Sequence, residues 1–202
     1  MDPIKQKFDA AYAQLTQAGA PYELVTETVG GNALRVFRNT PRNMRELFAP
    51  AYGHGDKEFV VFEGERWSFA RLLRLADSIA HQLVHRSGVR KGDRVAIAMR
   101  NYPEWVIGYW AIASIGAAVV GMNAWWTGPE MEYGLIDSRP LVLIADDERV
   151  ERVLPHLAAV READDRLVAD AVMPLEQRLL TSLARPRLYA VLLGGFAGCA
   201  LV

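Results

Sequence analysis

The chain has 202 residues, 51% of them hydrophobic and 23% charged. That supplies enough apolar material for a sizeable core and excludes a disordered composition. The balance of 23 basic and 24 acidic residues leaves a net charge of −1, which gives nucleic acid no electrostatic reason to bind. The single cysteine, Cys199, excludes an internal disulfide and a cysteine-based zinc site. The N-terminus has no apolar signal region, so a cytoplasmic location is expected.

In chain order, Asp2 as cap and Pro3 at the first helical position predict a helix over residues 2–18. Ile4, Phe8, Tyr12 and Leu15 fall on one face of it. Residues 22–39 are mixed, with Gly30-Gly31-Asn32 as a plain turn, and a short helix is expected over 43–48. Residues 52–56 read as a loop. Phe59-Val60-Val61-Phe62, Glu63-Gly64 and Arg66-Trp67 predict a β-hairpin. Ser68 then caps a helix whose apolar face is Leu72, Leu75, Ala76, Ile79 and Leu83.

From Gly88 the pattern changes. Short apolar runs at 94–99, 118–122 and 141–145 alternate with helices at 103–115, 127–137 and 148–160. The helix after Pro103 is apolar nearly all round and is expected to be buried. Thr127-Gly128-Pro129-Glu130 fits a capping box. This alternation predicts an α/β fold, a partial parallel sheet with flanking helices.

Residues 164–202 are expected to form a helical tail. Leu175, Leu179 and Leu183 would share one side of a helix over 174–184. Residues 188–202 carry no charge, yet fall short of the roughly 20 apolar residues a bilayer span needs. Weak membrane association through this run is an expectation. The organisation read from the chain is a leader over 1–58, a subdomain over 59–163 and a tail over 164–202.

Three stretches in register carry a resemblance. They are Trp67-Ser68-Phe69-Ala70-Arg71-Leu72, then Gly88-Val89-Arg90-Lys91-Gly92-Asp93-Arg94-Val95, then Asn101-Tyr102-Pro103-Glu104-Trp105 with Gly116-Ala117-Ala118-Val119-Val120-Gly121-Met122-Asn123. Together they resemble the N-terminal subdomain of the AMP-dependent synthetase and ligase superfamily, of acyl-CoA synthetase type. The resemblance implies activation of a fatty or other carboxylic acid with ATP and Mg²⁺ to an acyl-adenylate, then transfer to CoA. It also implies a Ser/Thr-Gly-Lys phosphate loop and a late catalytic Lys. Neither occurs: no such loop string is present, and no Lys follows Lys91. The chain is therefore expected to be catalytically incomplete, with no cofactor of its own. Separately, Met173-Pro174-Leu175 and Ala184-Arg185-Pro186-Arg187-Leu188 resemble the junction that precedes a membrane helix in MacB/FtsX-like ABC permeases. That implies a chimeric join near Ala163. A membrane-associated fragment and a non-catalytic acyl- or CoA-binding module are the alternative functions.

No catalytic, cofactor-binding or metal residue is assigned. His81 and His85 have the i, i+4 spacing of a zinc pair but no evident third ligand. Trp125 and Trp126 are the candidate substrate-binding residues, because they sit in a loop. Asp146-Asp147-Glu148 reads as a solvated turn with a carboxylate at a helix start.

Overall fold

The computed structural model describes residues 2–163 and, as backbone, residues 169–174 and 189–193. It divides into two compact units, Met1–Asn43 and Met44–Val202.

In the first unit, Asp2 caps helix α1 (Pro3–Thr16) by accepting the Ile4 amide at 2.9 Å. Strands β1 (Leu24–Val29) and β2 (Asn32–Phe37) form an antiparallel hairpin. Gly30 and Gly31, at φ +57° and +84°, supply its two-residue turn. Ile4, Phe8, Tyr12 and Leu15 share a face of α1, as their spacing predicts, and all four are exposed.

The second unit opens with the short helix α2 (Met44–Phe48) and a 3₁₀ turn over Ala49–His54. The expected hairpin follows as β3 (Glu58–Phe62) and β4 (Glu65–Ser68). Ser68 accepts the Arg71 amide at 3.2 Å and starts α3 (Phe69–His85). The predicted apolar face of α3 is buried throughout.

The sheet contains β5 (Arg94–Ala98), β6 (Ala118–Gly121) and β7 (Val142–Ala145), each pair with β5 parallel. Between them run α4 (Pro103–Ser114) and α5 (Gly128–Ser138). After β7 come α6 (Asp147–Val153), a 3₁₀ turn at Leu154–His156 and α7 (Leu157–Ala163). The single helix expected over 148–160 is thus broken in two around Pro155, which has no amide proton to continue the ladder.

Alternate residues of a strand face opposite sides of the sheet. Val95, Ile97, Val142 and Ile144 pack with α3 and α4 in one core. Ala96, Ala98, Leu143 and Ala145 pack with α5, α6 and α7 in the other. The small residues Ala96, Ala98 and Ala145 let the second helical layer lie close to the strands. Helix α4 is less enclosed than its composition predicts: Ile107, Ala111 and Ile112 are buried, but Trp105, Val106, Tyr109 and Trp110 are only partly so.

The tail differs from the expected helices where it is described. Strands β8 (Ala169–Pro174) and β9 (Tyr189–Leu193) pair antiparallel with each other, and β9 pairs antiparallel with β7. The sheet is therefore mixed, in the order β6-β5-β7-β9-β8. Five residues of the uncharged run at 188–202 form a strand that pairs on both sides. Backbone groups gain as much from a sheet ladder as from a helix, and the alternation-free apolar run fits an inner strand. The rest of the tail, including Leu175, Leu179, Leu183 and Cys199, lies outside the described residues. Among the described residues no helix is long and apolar enough to cross a membrane.

Candidate functional site

The C-terminal ends of β5, β6 and β7 lie side by side, and the loops that leave them diverge. The loop after β5 leads to α4 on one face, while the loops after β6 and β7 lead to α5 and α6 on the other. Such a divergence at the carboxyl edge of an open α/β sheet leaves a crevice suited to ligands.

One buried ion pair holds these loops in place. Asp146 directly follows β7 and caps α6, its Oδ1 accepting the Arg149 amide at 3.1 Å. Its Oδ2 accepts the Arg100 amide from the loop after β5, also at 3.1 Å. The Arg149 guanidinium donates to both Asp146 oxygens, at 3.2 and 3.1 Å. It also donates twice to the Ala124 carbonyl in the loop after β6, at 2.7 and 2.6 Å. Arg152 adds a bond to the Trp126 carbonyl at 3.1 Å. Side-chain exposure is only 1% for Arg149 and 7% for Asp146, so little solvent screens the pair. The solvated turn expected at Asp146 is corrected here. The residue does start a helix, but it is buried because it faces the β5 and β6 loops rather than water.

Beside this brace lies a cleft of ≈ 390 Å³ lined by Phe62, Glu63, Arg100, Asn101, Tyr102 and Trp125. Arg100 lies over the Trp125 ring, 4.7 Å from its centroid. Phe62, at the tip of the β3–β4 hairpin, meets the Tyr102 ring edge-on at 5.8 Å. The Asn123 side chain accepts the Trp125 amide at 2.9 Å and fixes the turn that presents the indole. The cleft thus offers a guanidinium, a carboxamide, a phenol and an aromatic face, with one carboxylate. These groups suit binding and orientation.

The two candidate tryptophans part company. Trp125 is 67% exposed and lines the cleft. Trp126 packs against the second core. Its ring lies over Gly134, where an added Cβ would stand 2.7 Å from Cζ3. Trp125→Ala is expected to change stability by no more than about 1 kcal/mol, the scale of an exposed cation–π contact. Trp126→Ala is expected to cost about 3 kcal/mol, near the lower end for a large aromatic removed from a core. Urea unfolding of both variants checks the order. The His81 and His85 rings lie 4.2 Å apart, on an exposed face of α3. Among the described residues no group of three or more His, Cys, Asp or Glu converges on a point.

Comparison with known proteins decides the family. The family model described as AMP-binding enzyme matches residues 47–188. The chain belongs to the AMP-binding enzyme family. The crotonobetaine/carnitine–CoA ligase of Salmonella paratyphi A is 34% identical over 109 residues, 51% of this chain and 21% of that protein. Among solved structures, the coronafacic acid ligase of Pectobacterium brasiliense matches at a TM-score of 0.54 with 26% identity, over 58% of this chain and 23% of the other. An anthranilate CoA ligase in complex with anthranoyl-AMP matches at 0.53 with 27% identity, over 62% and 24%. The fold is that of the N-terminal subdomain of adenylate-forming enzymes. The chain spans about a fifth of the length of the curated relatives it matches. The family match runs past Ala163 to residue 188. It therefore covers most of the stretch that was expected to come from a permease, and that resemblance finds no support.

Sequence reasoning singled out Trp125, which lines the cleft, and placed Asp146 at a helix start without its burial, but did not single out Arg100, Tyr102 or Arg149. Arg100 carried one usable signal, a lone charge directly after an apolar strand in a predicted βα loop. Arg149 carried none, since a helical arginine in a charged run reads as surface.

Proposed function

We propose that this chain is the N-terminal portion of an AMP-forming carboxylic acid–CoA ligase, and that these residues do not complete adenylation by themselves. The observation that carries the reading is the family match over residues 47–188, set beside a sequence with no Ser/Thr-Gly-Lys phosphate loop. The relatives' names support the chemical class: one is a crotonobetaine/carnitine–CoA ligase, and another is an anthranilate CoA ligase in complex with anthranoyl-AMP. A fatty acid is the substrate we favour, with ATP, Mg²⁺ and CoA as reactants of the whole enzyme. Their use fits a cytoplasmic location.

The sequence carries no Ser/Thr-Gly-Lys loop of the kind that would cradle the ATP triphosphate. Among the described residues no carboxylate cluster converges to hold a cation. What the chain contributes in this reading is a rigid wall: the sheet edge, its braced loops and the cleft at Arg100 and Trp125. Preorganised loops of this kind orient a bound group without further ordering cost.

ATP–pyrophosphate exchange tests both halves. The purified chain with a panel of fatty and aromatic acids is expected to show no exchange above buffer. Adding the remaining segment of a relative in trans is expected to restore it. Exchange by the chain alone would sink the claim of incompleteness. Failure to restore it with a partner segment that is itself folded would count against the family function.

A further inference from the structure

A second cavity, of ≈ 470 Å³, lies away from the sheet edge and shares no residue with the cleft at Arg100. It lies between α2 with its 3₁₀ turn on one side and α3 and α4 on the other, and opens to solvent where Arg45, Tyr52 and Asp77 are exposed. Its size falls within the roughly 300–1,000 Å³ of small-molecule sites. Leu73 and Ala76 of α3 are buried and form an apolar floor. Phe48 stacks on Trp110, centroids 4.5 Å apart and planes within 14°, which makes a flat aromatic wall.

The polar groups of the cavity carry both signs. Arg45 contributes a guanidinium and Asp77 a carboxylate. The Tyr52 hydroxyl donates to Asp77 Oδ1 at 2.7 Å and fixes the carboxylate. Burial, followed by the bond to Asp77, pushes the Tyr52 phenol up to about 12. A simple carboxylic acid would suit Arg45 and be repelled by Asp77. A simple amine would suit Asp77 and be repelled by Arg45. A ligand with both charges complements both groups at once, and the floor and aromatic wall suit an apolar body between or beside them.

We propose that this cavity binds a small zwitterion with an apolar body, of the amino-acid type. Its carboxylate pairs with Arg45, its ammonium with Asp77, and its side chain lies against Phe48, Trp110 and Leu73. The site is independent of the adenylation reading, because it uses none of the residues at the sheet edge.

Titration calorimetry of the whole chain tests it with three probes: L-phenylalanine, hydrocinnamate, which lacks the ammonium, and phenethylamine, which lacks the carboxylate. L-phenylalanine is expected to bind saturably, and each truncated probe about tenfold or more weaker, as the loss of a charged hydrogen bond implies. Arg45→Gln is expected to bring phenylalanine down to the affinity of phenethylamine. Asp77→Asn is expected to bring it down to that of hydrocinnamate. No saturable heat with phenylalanine at millimolar concentration would overturn the proposal, as would equal binding of the three probes. Unchanged affinity in both variants would do the same. The probe series is read on the parent chain, so it stands even where a variant fails to fold.

Discussion

Arg149→Met is expected to lower the unfolding free energy by about 3–5 kcal/mol, the usual cost of removing one partner from a buried ion pair. The guanidinium neutralises Asp146 and satisfies the Ala124 carbonyl with two bonds. Methionine fills similar space but leaves the carboxylate without its cation and the carbonyl without its donors. The amides of Arg100 and Arg149 still reach Asp146, so its cap survives while the cross-link to the β6 loop does not. The contact with Glu148 adds little, because that carboxylate is 52% exposed and solvent screens it. Urea unfolding followed by circular dichroism measures the loss, and a change under about 1 kcal/mol would reject the bracing role. Arg149→Lys separates charge from geometry. It keeps the cation but cannot fork between Asp146 and Ala124, so an intermediate loss is expected.

Gly128→Ala should cost about 1–3 kcal/mol through overpacking. Gly128 opens α5 at the point where α6 and the following 3₁₀ turn cross it. A Cβ there would stand 2.3 Å from His156 Nε2 and 2.8 Å from the Arg152 carbonyl oxygen. The imidazole cannot simply swing aside, because its Nδ1 is held by Glu132 Oε2 at 2.6 Å. The carbonyl belongs to the α6 backbone, so relief requires the two helices to separate. In a His156→Ala background the ring clash is gone and the carbonyl clash remains. The cost of Gly128→Ala is therefore expected to fall but not vanish there, as a thermal or urea double-mutant cycle would show. Equal costs in both backgrounds would mean that the ring is not the obstacle.

Both predictions concern contacts invisible to local reading. Gly128 looks like part of a capping box, and that part was legible: the Glu130 carboxylate accepts the Thr127 amide at 2.7 Å and its hydroxyl at 2.8 Å. These bonds, the amide first, hold the Glu130 carboxyl below its ordinary range. What the motif could not show is that the same glycine makes room for a helix about 25 residues later in the chain. Asp146 is the same kind of case. Its helix-capping role follows from its place before α6, but its burial follows from two loops that are distant in sequence.

The first hairpin was missed for a different reason. Leu24-Val25-Thr26-Glu27-Thr28-Val29 lacks a clean alternation, and most of the strand is exposed. Its pairing is set by the turn at Gly30-Gly31 rather than by a buried face. In the tail, the spacing of Leu175, Leu179 and Leu183 suggested a helix, and those residues lie outside the described part. The apolar run from residue 188 fitted helix and inner strand equally well by composition. Short apolar runs do not distinguish the two by periodicity, and pairing with β7 decided it for Tyr189–Leu193.

By itself the sequence determined the alternation of apolar runs and amphipathic segments, the caps at Asp2, Ser68 and Thr127, and the family resemblance. Each of these is local: a cap needs three or four residues, and a helical face needs two turns. Tertiary structure alone decided that the sheet is mixed and that Trp125 faces a cleft while Trp126 faces a core. It also decided that Arg149 is a buried brace and that Arg45 and Asp77 share a cavity. Those outcomes depend on which elements meet, and such meetings are fixed by the burial of whole faces rather than by any short pattern.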